Sequence, residues 1–151
     1  VQDKPGVLAR IAGLFRRRGF NIASLTVGRS EQKGLSRMTF VVEGAEKAVR
    51  KASAQLDKLI DVVMVSDLGS SDFVERELML IKFKKDSFPE DSFDETNIVS
   101  NNEEIVNVQI IGTSSELDQL ILDTAHSNPI EIVRSGPLGI SSDKNTLSID
   151  N

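Results

Sequence analysis

The chain of 151 residues contains no cysteine, no tryptophan and no tyrosine, and only one histidine. Without cysteine there can be no disulfide, no thiolate nucleophile and no cysteine-based metal site. Without Trp or Tyr, and with seven scattered Phe, platforms for stacking bases are scarce. A lone histidine, His126, cannot form a histidine cluster with metal-ligand spacing, and no nucleophile elbow or Gly-rich phosphate fingerprint accompanies it. His126 reads as a surface imidazole near a helix C-terminus, where its charge suits the helix dipole. No apolar run approaches the roughly 18–20 residues that span a bilayer, and no signal peptide is visible. Catalytic residues and metal ligands are therefore expected to be absent, as are nucleic-acid and membrane partners. Val1 stands where Met is expected and where a strand should be finishing, so the N-terminus reads as trimmed.

Charge is present but unevenly divided. Residues 1–69 hold twelve Lys/Arg against seven Asp/Glu, and residues 70–151 hold six against sixteen. The acidic whole, at net −5, argues against nonspecific nucleic-acid binding, and the asymmetry points to two modules. We expect a first domain over residues 1–69, a linker over 70–74 around Gly69-Ser70-Ser71-Asp72, and a second domain over 75–151.

In the first module, Val7, Leu8, Ile11, Leu14 and Phe15 recur at helical spacing, and Gly19 ends that helix after Arg16-Arg17-Arg18. The arginine run reads as a basic helix end. Phe20–Val27 is a strand with a bulge near Ala23, and Met38–Val42 is its hairpin partner. Gly44 opens a second helix through Ile60, ended by Asp61, and Val62–Leu68 is a β-branched run. With a strand before Asp3 the order is β-α-β-β-α-β, the split βαβ unit with four antiparallel strands and two helices on one face. So small a unit buries little core, and pairing with a second copy would stabilise it.

In the second module, Leu78–Phe83, Val106–Ile111 and Ile130–Val133 read as strands, and Thr113-Ser114-Ser115-Glu116 as a capping box before a helix. Residues 84–105 are acidic and aperiodic, which reads as a disordered loop or a short irregular helix. Glu75, Glu77, Glu103 and Glu104 read as solvated charge.

One stretch concentrates chemistry. Asp3-Lys4-Pro5-Gly6-Val7-Leu8 places a tight turn at the start of a helix, where unpaired amides converge on one point. An amino-acid carboxylate suits that point, and Gly6 lets the ligand backbone come close. The ammonium needs oxygen acceptors, which Asp3 and Asn21 can supply, Asn21 from a neighbouring copy.

These residues also carry a resemblance. Asp3 to Leu8, Ile11-Ala12-Gly13-Leu14-Phe15 and Arg17-Arg18-Gly19-Phe20-Asn21-Ile22 look like the regulatory small subunits of acetolactate synthase (acetohydroxyacid synthase). So do Gly34-Leu35-Ser36-Arg37-Met38-Thr39 and Gln55-Leu56-Asp57-Lys58-Leu59-Ile60-Asp61-Val62. Val74-Glu75-Arg76-Glu77-Leu78-Met79-Leu80-Ile81-Lys82 resembles the start of that family's C-terminal domain, and Val133-Arg134-Ser135-Gly136 a later part of it. The resemblance implies an α+β chain of two ferredoxin-like βαββαβ modules, the first an ACT domain.

It further implies a protein without catalysis or cofactor of its own, in branched-chain amino acid biosynthesis. Such a subunit activates a large catalytic subunit that carries thiamine diphosphate, Mg and FAD, the holoenzyme being a transferase. It confers feedback inhibition by valine, or by leucine or isoleucine, bound where two ACT domains pair in a homodimer. By position, Asp3, Gly6, Val7 and Leu8 would come from one protomer and Asn21 and Ile22 from the other, with Ala9 and Gly28 close by. The expected location is cytoplasmic for a bacterial chain, and plastid or mitochondrion for a eukaryotic one. Residues 84–105 are shorter and more acidic than the helix and strand usual in that family. Two other readings stand beside this one. An amino-acid-sensing ACT module could serve a different enzyme or a repressor. An RNA-binding module of the same topology would rely on Phe20, Phe40 and Phe83.

Overall fold

The structure, a computed structural model, describes residues 1–70 and 72–142. They fall into two compact units, residues 1–74 together with 139–142, and residues 75–138. The last residues of the expected second domain thus cluster with the first unit.

The first unit is built on helix α1 (Val7–Arg18), whose inward stripe Val7, Ile11, Leu14 and Phe15 is buried. Helix α2 (Glu46–Leu56) adds Ala52 and Leu56 to the same core. Strands β1 (Ile22–Arg29) and β2 (Ser36–Val42) form an antiparallel hairpin. Its register shifts between Ile22 and Ser24, the bulge expected at Ala23. Phe15 joins helix to sheet, stacked on Phe40 at 5.3 Å between ring centres and edge-on to Phe20 at 5.9 Å. Burying such a ring contributes about 1.5–3 kcal/mol. Gly19 ends α1 at φ 71, a left-handed backbone that a Cβ would strain.

Two expectations need correction here. Helix α2 stops at Leu56, and turns carry the chain through Asp61, leaving Ile60 exposed. The β-branched run Val62–Leu68 forms no strand. A strand needs a continuous ladder, and among the described residues Gln2 reaches this side at Asp61, just before the run begins. Gln2 bridges Leu35 on one side, and its N–H donates to the Asp61 carbonyl on the other, at 2.8 Å. Val62 and Val65 still pack on the core.

The second unit centres on β3 (Phe73–Lys84), flanked by β5 (Ile105–Gly112) and β6 (Glu131–Arg134), with β4 (Ile98–Asn101) beyond β5. The β4, β5 and β6 pairings are antiparallel. β7 (Leu138–Ser141) also pairs with β3. Period-two alternation sends Met79, Ile81 and Phe83 to one face with Val106 and Val108, and helix α3 (Ser114–Asp123) covers them with Leu117. Thr113 and Glu116 complete the expected capping box at the start of α3. His126 lies in a 3₁₀ turn just past the helix, exposed.

Residues 84–105 form an ordered, irregular segment of short 3₁₀ turns without an α-helix. Three single 3₁₀ turns, Lys85–Ser87, Glu90–Ser92 and Glu95–Asn97, lead into β4. Phe88 and Phe93 stack on each other at 5.6 Å and lean on Phe83, each at 5.7 Å. Asp94 and Asn97 cap reciprocally, and the Asn97 amide donates to the Gln109 carbonyl. Aromatic anchors hold the segment while its carboxylates stay in water. The anchors sit five residues apart, a spacing without helical period, so periodicity alone missed them.

Glu77 also departs from expectation. It shares the inward face of β3 with Met79 and is 4% exposed. Arg134 meets it with two arms, Nε to Oε1 at 3.0 Å and a terminal nitrogen to Oε2 at 2.7 Å. Ser114 Oγ and the Gly136 N–H donate to the same carboxylate, and Arg134 also pairs with Asp118. Arg134 holds the Glu77 carboxyl below the usual carboxylate range against the opposing effect of burial.

Candidate effector site

The turn at the start of α1 has the geometry of an open anion seat. Gly6 takes the N-cap position at φ 86, ψ −8, and no side chain caps the helix there. The first turn contains no acid. The Arg10 N–H donates to the Gly6 carbonyl at 3.0 Å, so the helical ladder starts one turn in. The amides of Leu8 and Ala9 precede that ladder and have no partner four residues back. The Val7 N–H is engaged by the Lys4 carbonyl at 3.4 Å. A Cβ on Gly6 would meet nothing within 4 Å, so the space above the turn is open.

Asp3, Gly6, Leu8 and Ala9 are all exposed at this turn. The Asp3 N–H donates to the Gly34 carbonyl at 2.8 Å, which ties the turn to the start of β2. Gly28 pairs with Arg37 one step along the hairpin and belongs to the same end of the unit. Val7 is different: its side chain is 3% exposed and faces the core. Ile22 packs partly buried against that core.

Asn21 lies elsewhere. It follows the other end of α1, and a helix of 12 residues rises about 18 Å. One copy therefore places Gly6 and Asn21 at opposite ends of a helix, too far apart for one amino acid to touch both. The Asn21 amide nitrogen donates to Glu43 Oε2 at 2.5 Å. A carboxylate only accepts, so this contact fixes the amide orientation and leaves Asn21 Oδ1 free to face a cation. Glu43 was not anticipated. The hairpin register contained the signal, because Ile22 pairs with Val42 and the Glu43 N–H donates to the Asn21 carbonyl at 3.1 Å. Together Asn21 and Glu43 present two oxygens and one negative charge, a fitting partner for an ammonium.

Comparison with known proteins matches both units. A model described as the AHAS small subunit-like ACT domain covers residues 1–64, and one described as the small subunit of acetolactate synthase covers residues 76–143. The chain is 38% identical to a probable acetolactate synthase small subunit of Methanothermobacter thermautotrophicus, over 97% of this chain and 92% of that one. The chain belongs to the acetolactate synthase small-subunit family. It is also 36% identical to the isozyme 3 small subunit of Escherichia coli, over 93% and 91% of the two chains. A crystal structure of the acetolactate synthase small subunit from Thermotoga maritima superposes with a TM-score of 0.82 at 35% identity, covering 96% of this chain and 94% of that one.

The N-terminal unit is thus an ACT domain in an α+β small-subunit chain, and the Pro5-Gly6 turn and the Asn21–Glu43 pair both lie within it. Among the described residues, no group of three or more His, Asp or Glu could hold a metal ion. No described helix is long and apolar enough to cross a membrane.

Proposed function

We propose that this chain is the non-catalytic regulatory subunit of an acetolactate synthase, working with a large catalytic subunit in branched-chain amino acid biosynthesis. Two ACT domains pair, and valine, or leucine or isoleucine, bridges them. The turn of one copy, with the free amides of Leu8 and Ala9 beside Gly6, takes the carboxylate. Asn21 and Glu43 of the other copy take the ammonium. Asp3 adds a further acceptor at the turn, exposed Leu8 offers apolar surface to the effector side chain, and Ala9 and Gly28 border the site. Val7 and Ile22 act from beneath by fixing the backbone that carries the amides and Asn21.

The observation that carries this reading is the placement of Gly6 and Asn21 at opposite ends of α1. Each end offers half of what a zwitterion needs, so the site is complete only when two copies meet. The catalytic chemistry, with thiamine diphosphate, Mg and FAD, belongs to the large subunit. The regulatory subunit raises its activity, and valine inhibits by favouring one pairing geometry over another. Such a shift requires different effector affinities in the two states, typically with a coupling of about 1–3 kcal/mol. The test is reconstitution of the purified chain with its large subunit. Activity should rise on mixing and fall again as valine is titrated in. No change on mixing would overturn the reading.

A further inference from the structure

A second concave surface lies in the first unit, between the end of α1 and one face of α2. Arg18, Phe20, Ala45, Lys47, Ala48, Lys51 and Gln55 line it. Lys47 and Lys51 are one helical turn apart and point the same way, with Ala48 between them and Gln55 a turn further on. Arg18 completes the rim and is held by a hydrogen bond to Gln55 Oε1 at 3.1 Å. The floor is apolar, formed by Ala45, Ala48 and the half-buried ring of Phe20. None of the lining residues is acidic, and among the described residues neither lysine forms an ion pair. The nearby Glu46 is engaged by Arg50 instead. Three cations around an apolar floor complement a segment that carries carboxylates and one apolar side chain.

The groove and the effector-binding pair share backbone. Phe20 and Asn21 are successive residues entering β1. Phe20 packs into the helix layer, whereas Asn21 is exposed and reaches Glu43. On the other strand, Glu43 and the groove residue Ala45 are separated only by Gly44, at φ 136. An occupant of the groove and an effector at Asn21–Glu43 would therefore act on the same two chain segments from different sides.

We propose that this groove docks an acidic, apolar-tipped segment of the large catalytic subunit, and that the Phe20–Asn21 and Glu43–Ala45 segments relay effector binding to that contact. The proposal rests on the regulatory-subunit reading above. It selects the catalytic subunit over a second copy because pairing of copies uses the turn and Asn21, whereas the groove lies on the helix side of Phe20.

The test uses the full chain with Lys47→Glu and Lys51→Glu together, both side chains being exposed. Lys33→Glu with Lys58→Glu is the charge-matched control, and Lys47→Arg with Lys51→Arg the conservative one. Binding to the purified large subunit is measured at low and high salt, with valine calorimetry and oligomeric state in parallel. The double glutamate variant should bind the large subunit about tenfold more weakly or worse, with a flatter salt dependence. Its valine affinity and its pairing should match the wild type, and both controls should bind the large subunit normally. Wild-type affinity in the double glutamate variant, or equal weakening in the charge-matched control, overturns the groove assignment. A change in oligomeric state overturns it too, in favour of a second copy as occupant. If the wild type itself does not bind the large subunit, the regulatory reading fails, and the groove assignment with it.

Discussion

At the entry to the β1–β2 hairpin, the Asn21 side-chain amide donates to the Glu43 carboxylate at 2.5 Å. The bond holds the Asn21 amide beside the Glu43 carboxylate and leaves the amide oxygen as an acceptor, which suits a bound ammonium. Asn21→Ala should weaken valine binding by about 1.5–3 kcal/mol, the range for hydrogen bonds to charged groups. Glu43→Gln should weaken it as well, because the neutral amide no longer offsets the positive charge. Calorimetry on the paired chain measures both, and wild-type affinity in either variant removes that residue from the site.

Gly6 has a backbone role and a proposed ligand role, which substitution can separate. At φ 86 a side chain costs about 1–2 kcal/mol of backbone strain, whatever the ligand does. Gly6→Ala should lower the melting temperature while leaving much of the valine response. Gly6→Asp adds a carboxylate at the proposed seat of the effector carboxylate, so it should abolish valine inhibition while activation of the large subunit survives. Inhibition that persists in Gly6→Asp would move the anion seat away from this turn.

Glu77 supplies a pH signature. Its carboxyl is held low mainly by Arg134, so its contribution to stability is complete above the ordinary carboxylate range. That contribution is lost as pH falls through the depressed folded value. Glu77→Gln should cost about 3 kcal/mol at neutral pH, as removal of one partner of a buried pair does. The gap between wild type and variant should then narrow below about pH 4. Urea unfolding across that range is the check, and a gap that stays constant with pH would contradict the assignment.

Phe93 holds the acidic segment in place. Phe93→Ala removes its stacking on Phe88 and its contact with Phe83, and should cost about 2–3 kcal/mol for a partly buried ring. Hydrogen exchange should quicken across residues 85–97 and little in α1. Unchanged exchange in that segment would show that other contacts order it.

What could be read in advance followed the reach of each interaction. Helix α1 was legible because Val7, Ile11, Leu14 and Phe15 repeat locally and Gly19 marks the end. The α3 cap was legible because Thr113 and Glu116 lie three residues apart. The Gly6 turn was legible for the same reason. Glu77 was misread as solvated because its partner Arg134 lies 57 residues away. Only its parity with Met79 and Ile81 pointed inward. Glu43 was missed because it becomes Asn21's neighbour only through the hairpin register. Val62–Leu68 had the composition of a strand but forms no ladder among the described residues, and composition does not report pairing.

In the proposed pair, each effector site draws its anion seat from one copy and its ammonium partner from another. The most direct measurement mixes Gly6→Asp chains with Asn21→Ala chains, lets the copies exchange, and titrates valine by calorimetry. In a mixed pair one site carries both defects and the other carries none. Sites of wild-type affinity should therefore reappear on mixing, although neither parent possesses them. If the mixture binds no better than the two parents measured apart, the residues act within a single copy and the bridging account is wrong.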